Sequence, residues 1–208
     1  MQSNFEIKLD DGHWLEDLDE SLDRCLHGTV QFILDGSLIY ESARNRTVSV
    51  TGYYLLKAID TNYTPNQYAS QILPCCGFTM FADLAQGDVC IIGCPEGDEF
   101  SISHLSEWTQ LIFPGHEPVM VQYKTFQSSV LEFIDTIELI YRQSKPKCIP
   151  VDNFDKEAYE YFWKDWSRMK SQHFEQDCSY KNLWSGTKCQ TKSKLEIKRQ
   201  SLNEIRRK

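Results

Sequence analysis

The sequence has no long apolar run, and none approaches the ~20 residues that a membrane-spanning helix needs. Residues 1–8 contain no basic stretch followed by an apolar one, so we expect no signal peptide. No segment repeats with a fixed period, which excludes solenoid, collagen and coiled-coil architectures. These absences predict an ordinary soluble domain without a membrane partner.

The common catalytic signatures are missing as well. The chain contains no Gly-x-Ser-x-Gly elbow, no Gly-x-x-x-x-Gly-Lys loop, no Gly-x-Gly-x-x-Gly turn and no His-Glu-x-x-His pair. This excludes the most recognisable hydrolase, phosphate-binding, dinucleotide-binding and zinc-protease sites. We therefore assign no catalytic residue, no metal ligand and no cofactor, and we expect a binding protein rather than an enzyme.

The residues that are present suit one folded domain. The chain has 208 residues, of which 41% are hydrophobic, and its 11 phenylalanines, 10 tyrosines and five tryptophans can build a core. Residues 181–208 contain nine basic and two acidic side chains, and the remaining body has a net charge of −15. We predict a single domain over residues 1–178 and a basic tail over residues 179–208, partly helical or disordered.

This charge distribution indicates the kind of partner. An acidic body repels nucleic acid and attracts cationic proteins through long-range steering. The basic tail is the only part that suits a nucleic acid, but it matches no known binding motif. A protein partner is therefore expected, and the oligomeric state is left open.

Hydrophobic periodicity predicts an α+β fold. Phe5, Ile7 and Leu9 alternate with polar residues, as in a half-buried strand. Asp35-Gly36 lies between two β-forming runs and favours a two-residue type I′ hairpin turn. Short strands between residues 88 and 123 are separated by Gly- and Pro-containing turns, which indicates an antiparallel meander.

Helical spacing follows in three places. Residues 50–60 switch to a helical period, and Thr51 is a candidate cap. An apolar stripe from Phe126 to Tyr141 predicts an amphipathic helix that ends before Pro146. A last helix should begin at Asp152 or Asp155. The expected architecture is an antiparallel sheet, made of a hairpin and a meander, with helices packed on one face.

The eight cysteines allow several interpretations. Because the chain lacks an export signal and is long enough to fold without cross-links, we expect no disulfides and a reducing cytoplasm. An alternative is a metal-binding protein or enzyme that uses Cys75, Cys76, Cys90 and Cys94. Zinc suits thiolates, but no Cys-x-x-Cys pair is present. A cysteine nucleophile would need a base, for which His104 and His116 are the candidates.

Clustered carboxylates are the best candidates for partner contact. Glu96, Asp98 and Glu99 lie in one turn, where charged side chains on a rigid sheet can meet a basic partner. The acids between Glu16 and Asp23 form a second candidate surface. The predicted contact residues of that surface are Glu16, Asp17, Asp19 and Glu20.

Several stretches resemble a family of uncharacterised small bacterial cytoplasmic proteins, some of which are suspected immunity proteins for secreted toxins. They are Leu73–Gly77, Ile92–Asp98, Tyr123–Lys147 and Phe154–Trp163. The resemblance is one of general layout over residues 25–170 and transfers no functional residue. It implies an immunity-type inhibitor, and an acidic protein of this kind would cover the active face of a basic toxin.

Overall fold

A computed structural model describes residues 4–16, 19–67, 70–77, 79–83 and 87–173. The predicted basic tail, from residue 179 onward, lies outside these residues. The described residues form nine strands and three helices. In chain order they are β1 Phe5–His13, β2 His27–Leu34, β3 Ser37–Glu41, β4 Arg46–Thr47, α1 Val48–Asp60, β5 Thr79–Asp83, β6 Asp88–Ile92, β7 Ser101–Leu105, β8 Trp108–Ile112, β9 Val119–Gln122, α2 Tyr123–Gln143 and α3 Asn153–His173.

The first sheet is built around β2. Strand β1 pairs antiparallel with one edge of β2, and β3 and β4 pair with it along the other. The β2–β3 hairpin closes with Leu34 opposite Ser37, and both turn residues have positive φ, 51° at Asp35 and 79° at Gly36. Positive φ at both positions is the mark of a type I′ turn, so the predicted hairpin is confirmed.

The remaining strands form two further sheets. Strands β5 and β6 make a hairpin, and β7, β8 and β9 make the predicted antiparallel meander. The fold is therefore α+β with antiparallel pairing, as expected, but the described strands are divided among three sheets rather than joined in one. Strand β7 also bridges Tyr63 through Ile102, which ties the meander to the chain that leaves α1.

The helices cover the sheets and each other. Helix α2 packs on β1, β8 and β9, helix α3 packs on β5 and β6, and α1 contacts both helices. Gly52 permits the close approach of the three helices, since a Cβ there would lie 2.7 Å from the Trp166 ring and 2.8 Å from Ile137. The aromatic stripe of α3 is buried in this core, as its spacing predicts.

The helix starts differ in how they are capped. The Asp152 carboxylate accepts the Phe154 N–H at 2.9 Å and so caps α3. The prediction that Thr51 caps α1 is wrong, because the helix already begins at Val48. The buried Thr51 hydroxyl instead donates to the Thr47 carbonyl one turn back.

Among the described residues, none of the helices combines the length and the apolar character that a membrane-spanning helix requires.

Candidate functional site

The described part of the β1–β2 loop, residues 14–16 and 19–26, contains three of the four acids of the second predicted contact surface and is hydrogen-bonded to other parts of the fold. The Cys148 N–H donates to the Ser21 carbonyl at 2.7 Å, and the Arg24 Nε donates to the Cys148 carbonyl at 2.9 Å. The Tyr141 hydroxyl donates to the Arg24 carbonyl at 2.7 Å. Ser21 and Arg24 are therefore fixed against the end of α2 and the segment that follows it.

Lys147 adds a cation to this attachment. Its Nζ donates to the Glu20 carbonyl at 2.6 Å and lies 3.1 Å from the centre of the Trp14 ring. Burial lowers the pKa of Lys147 to about 8, although the nearby carboxylates of Glu20, Asp23 and Asp19 oppose the shift. The ammonium is thus partly desolvated between an aromatic face and the loop backbone.

Asp23 lies inside the loop rather than on its surface. Its carboxylate accepts the Leu15 N–H at 2.8 Å and the Cys25 N–H at 3.2 Å. Burial by itself would raise the pKa of Asp23, but hydrogen bonds from His27 and from these two N–H groups outweigh burial and lower it. Asp23 therefore shapes the loop from within.

Two of the predicted contact acids also have partners within the chain. Asp19 accepts hydrogen bonds from the hydroxyl and the N–H of Ser21, and together with Lys145 these lower its pKa to about 2. The Glu20 carboxylate accepts the Lys145 N–H at 2.9 Å. Asp19 remains exposed, whereas Glu20 is half-buried.

The described part of the loop also leaves apolar and acidic side chains exposed. Leu15 and Leu22 are 38% and 39% exposed, and Glu16 between them is exposed. The end of β1 adds the exposed Asp10 and Asp11. Within the described part of the chain, no cation is ion-paired with Glu16, Asp10 or Asp11. Asp17 lies outside the described residues.

The first predicted contact turn belongs to the β6–β7 loop, residues 93–100, and here the structure changes the role of Asp98. Its carboxylate accepts two hydrogen bonds from the Arg46 guanidinium, each of 2.8 Å, and a third from the Ala43 N–H at 3.0 Å. The backbone of Asp98 pairs with Leu73 in both directions. Asp98 therefore attaches this loop to the first sheet and to the segment before Cys75.

The two neighbouring acids differ from each other. The Tyr63 hydroxyl donates to the Glu99 carboxylate at 2.5 Å, and burial raises the pKa of Glu99 despite this hydrogen bond. Glu96 is exposed. Of the three acids in the predicted turn, Glu96 is thus the one left free to face a partner.

The same loop brings three cysteines together. A disulfide joins Cys75 to Cys94, with a Cα separation of 6.7 Å. Cys148 is disulfide-bonded as well. The prediction of a chain without disulfides is therefore wrong. The physical reason is tertiary: the Leu73–Asp98 pairing places the two loops side by side and brings Cys94 within bonding range of Cys75.

Cys76 lies beside this disulfide as a free thiol. The Sγ atoms of Cys75, Cys76 and Cys94 all lie within 4.8 Å of one another, and we call these three residues the cysteine cluster. The Cys94 N–H donates to the Cys76 sulfur at 3.3 Å. Cys90 is an exposed free cysteine on β6 and is not part of the cluster. A closed tetrahedral zinc site needs four ligands, and the described residues bring only three together.

The other described thiol and the candidate bases have structural surroundings. Cys25 is buried, and burial together with the Asp23 carboxylate raises its pKa to about 12. The ring nitrogens of His104 are hydrogen-bonded to the Ala58 carbonyl at 2.8 Å and to the Thr109 hydroxyl at 3.1 Å. Both nitrogens are occupied, so His104 is not available to accept a thiol proton. His116 lies exposed beside the Tyr40 ring.

An open groove of about 410 Å³ runs along α3. Its lining mixes both charges, and Lys156 lies 3.8 Å from Glu160 within it. It contains neither a thiol nor an imidazole among its lining residues. The groove therefore does not assemble the groups of a nucleophilic active site.

Sequence reasoning missed three parts of these sites: the Arg46 partner of Asp98, the Lys147 anchor of the β1–β2 loop, and the pairing of Cys75 with Cys94. Arg46 and Asp98 are 52 positions apart, and no local pattern connects them.

Comparison with known proteins adds no analogy, because no family model, curated protein or solved structure matches the chain.

Proposed function

We propose that the chain is a non-enzymatic protein-binding module of the immunity type, which covers the active face of a basic toxin. The observation that carries the proposal is the β1–β2 loop. Its backbone is anchored at Glu20, Ser21 and Arg24, while the side chains of Leu15, Leu22 and Glu16 are exposed. We assign partner contact to this loop, including Asp19, and to Asp10 and Asp11 at the end of β1.

The energetics of association favour such a surface. Residues whose backbone is already anchored lose little conformational freedom on binding, so ordering them reduces the binding free energy only slightly. The exposed leucines supply apolar area, and the carboxylates accelerate encounter with a cationic partner. A toxin that acts on nucleic acid is basic on its working face, which an acidic cover complements.

Within this proposal the predicted contact acids have different roles. Glu16 and Glu96 are exposed and are available to a partner, whereas Asp98 and Glu99 hold the β6–β7 loop through Arg46 and Tyr63. A cytoplasmic location, in which the protein meets a toxin before it acts, belongs to the same proposal. The body contributes no nucleic-acid contact.

The proposal is tested by capture followed by inhibition. The full chain is immobilised, proteins from the producing strain and its neighbours are passed over it, and retained proteins are identified by mass spectrometry. The expected partner is a basic toxin domain whose activity falls to background when one equivalent of the chain is added. A retained protein whose activity is unchanged by the chain, or a failure to retain any toxin, contradicts the proposal.

A charge-reversed pair of variants localises the surface. Glu16→Lys changes the β1–β2 loop, and Glu117→Lys changes an acid in the β8–β9 loop that is also exposed. His116 next to it contacts Tyr40 on β3, which lies across β2 from β1. We expect Glu16→Lys to slow association with the toxin about tenfold at low salt and Glu117→Lys to leave it nearly unchanged. Equal effects of the two variants would remove the β1–β2 loop from the interface.

A further inference from the structure

The cysteine cluster has chemistry that the binding function does not use. Cys75, Cys76 and Cys94 are all half-buried, so each of the three residues is packed against protein and is still partly open to solvent. Two of the sulfurs are joined and the third is a thiol, with all three within 4.8 Å of one another. A thiol at this distance from a disulfide is placed for exchange.

The surrounding backbone keeps the three sulfurs together. Leu73 and Asp98 exchange two backbone hydrogen bonds, of 3.2 and 2.9 Å, and the Thr47 N–H donates to the Pro74 carbonyl at 2.8 Å. Gly93 allows the two loops to approach, because a Cβ there would lie 2.7 Å from Ser70 and 3.3 Å from the Cys76 carbonyl oxygen. The cluster is therefore held by contacts that do not depend on which sulfurs are bonded.

We propose that the cysteine cluster is a thiol–disulfide exchange site in which Cys76 is the attacking thiol. The Cys76 thiol gives its proton to solvent, and the thiolate attacks the Cys94 Sγ. A Cys76–Cys94 bond forms as the Cys75–Cys94 bond breaks, and Cys75 leaves as a thiolate that takes a proton from solvent. One disulfide and one thiol are present before and after the step, so no oxidant or reductant is consumed.

The Cys75–Cys94 and Cys76–Cys94 disulfides should be similar in free energy. Cys75 and Cys94 are 19 positions apart in the chain, and Cys76 is one residue nearer, so the loops that they close cost almost the same entropy. The Cys94 N–H that faces the Cys76 sulfur is a donor from which a thiolate can accept. Disulfides in a reducing compartment are usually transient, catalytic or redox-sensing, so an exchanging cluster is consistent with the cytoplasmic location proposed above.

The test is a map of disulfide connectivity in the purified full chain. The native protein is held at mildly alkaline pH without reductant, quenched with acid, and its free thiols are alkylated. Fragmentation mass spectrometry then locates the alkyl group on Cys75 or on Cys76. We expect both Cys75–Cys94 and Cys76–Cys94 chains, in amounts within about tenfold of each other. Detection of Cys75–Cys94 alone, with Cys76 fully alkylated, would overturn the proposal.

Variants that each lack one cysteine test the same proposal a second way, through the disulfide that each variant can still form. Each variant is refolded from the reduced state with oxidised glutathione, which takes up the two electrons released when a first disulfide forms. Cys75→Ser should then contain a Cys76–Cys94 disulfide, Cys76→Ser should contain only Cys75–Cys94, and Cys90→Ser should show both, as the unchanged chain does. Circular dichroism shows whether each variant is folded. A folded Cys75→Ser chain that keeps both Cys76 and Cys94 as free thiols would refute the exchange, and if that variant does not fold, the map of the unchanged chain decides.

Discussion

The Arg46 guanidinium holds the Asp98 carboxylate through two parallel hydrogen bonds of 2.8 Å, and the two side chains are only 10% and 18% exposed. This pair joins β4 to the β6–β7 loop across 52 positions of sequence. Two parallel hydrogen bonds between a planar guanidinium and a planar carboxylate allow only one relative orientation of the two groups. The pair therefore also sets the orientation of the loop.

Replacing Asp98 should therefore destabilise the fold. Asp98→Asn leaves Arg46 as a poorly solvated cation without its counterion, and we expect the free energy of unfolding to fall by roughly 2–3 kcal/mol. Urea denaturation measures the loss. Glu96→Gln, two residues away and exposed, is the matched control and should change stability by less than about 0.5 kcal/mol. Identical urea midpoints for the two variants would contradict this assignment.

A second buried charge cluster joins α2 to α3. The Glu138 carboxylate accepts the Trp166 indole N–H at 2.9 Å and lies 2.9 Å from the Lys170 ammonium, and both charged side chains are at most 3% exposed. Glu138→Ala removes the acceptor of the buried Trp166 N–H and one of the two carboxylates that face the Lys170 ammonium, the other being Asp135 at 2.5 Å. We expect a loss of about 3 kcal/mol in unfolding free energy.

The control for this variant is Glu132→Ala, on the exposed side of the same helix. Both substitutions exchange one glutamate for alanine in α2, so helix propensity affects them equally. Glu132→Ala is expected to stay within about 0.5 kcal/mol of the unchanged chain. If thermal or urea unfolding gave the same stability for both variants, the network would carry no net stabilisation.

Lys147 predicts a specific dependence of stability on pH. Its pKa is about 8 in the folded chain against 10.5 for an unperturbed lysine, so between these values the unfolded chain binds more protons. The contribution of Lys147 to the free energy of unfolding therefore becomes more favourable as the pH rises from about 8 to 10.5, because the folded state no longer contains a desolvated charge. Lys147→Met keeps an unbranched side chain over Trp14 but removes the titration.

Urea denaturation at a series of pH values measures this effect. The stability of the unchanged chain relative to Lys147→Met should increase from about pH 8 to pH 10.5. Other groups that titrate in this range are present in both proteins and cancel in the difference. A difference that stays constant with pH would show that Lys147 keeps its ordinary pKa in the folded state.

The free cysteines should differ in reactivity. Cys25 is 5% exposed and burial raises its pKa to about 12, whereas Cys90 is exposed. In the native chain near pH 8, we expect iodoacetamide to label Cys90 at least about 10³-fold faster than Cys25, because the thiolate is the reacting form and must be accessible. Labelling is followed by mass spectrometry, and in denaturant the two rates should converge. Comparable native rates would mean that Cys25 is open to solvent.

Local patterns were sufficient for most of the secondary structure. The Asp35-Gly36 turn, the apolar stripe of α2 and the start of α3 next to Asp152 each involve residues within a few positions of one another, and all three occur as predicted. The start of α1 was misjudged because β4 pairs with β2 and delivers the chain directly into the helix at Val48. That pairing has no local signature.

The strands and helices can largely be predicted from local sequence patterns. Strand and helix periods repeat over two to four residues, so the sequence shows which side of each element is apolar. The tertiary structure alone decided the division of the strands into three sheets, the burial of Asp98 against Arg46 and the meeting of Cys75, Cys76 and Cys94. These features depend on contacts between segments many positions apart. Such contacts form only when the helices and sheets pack. Composition, spacing and charge counts do not show which residues from distant parts of the sequence will then be neighbours.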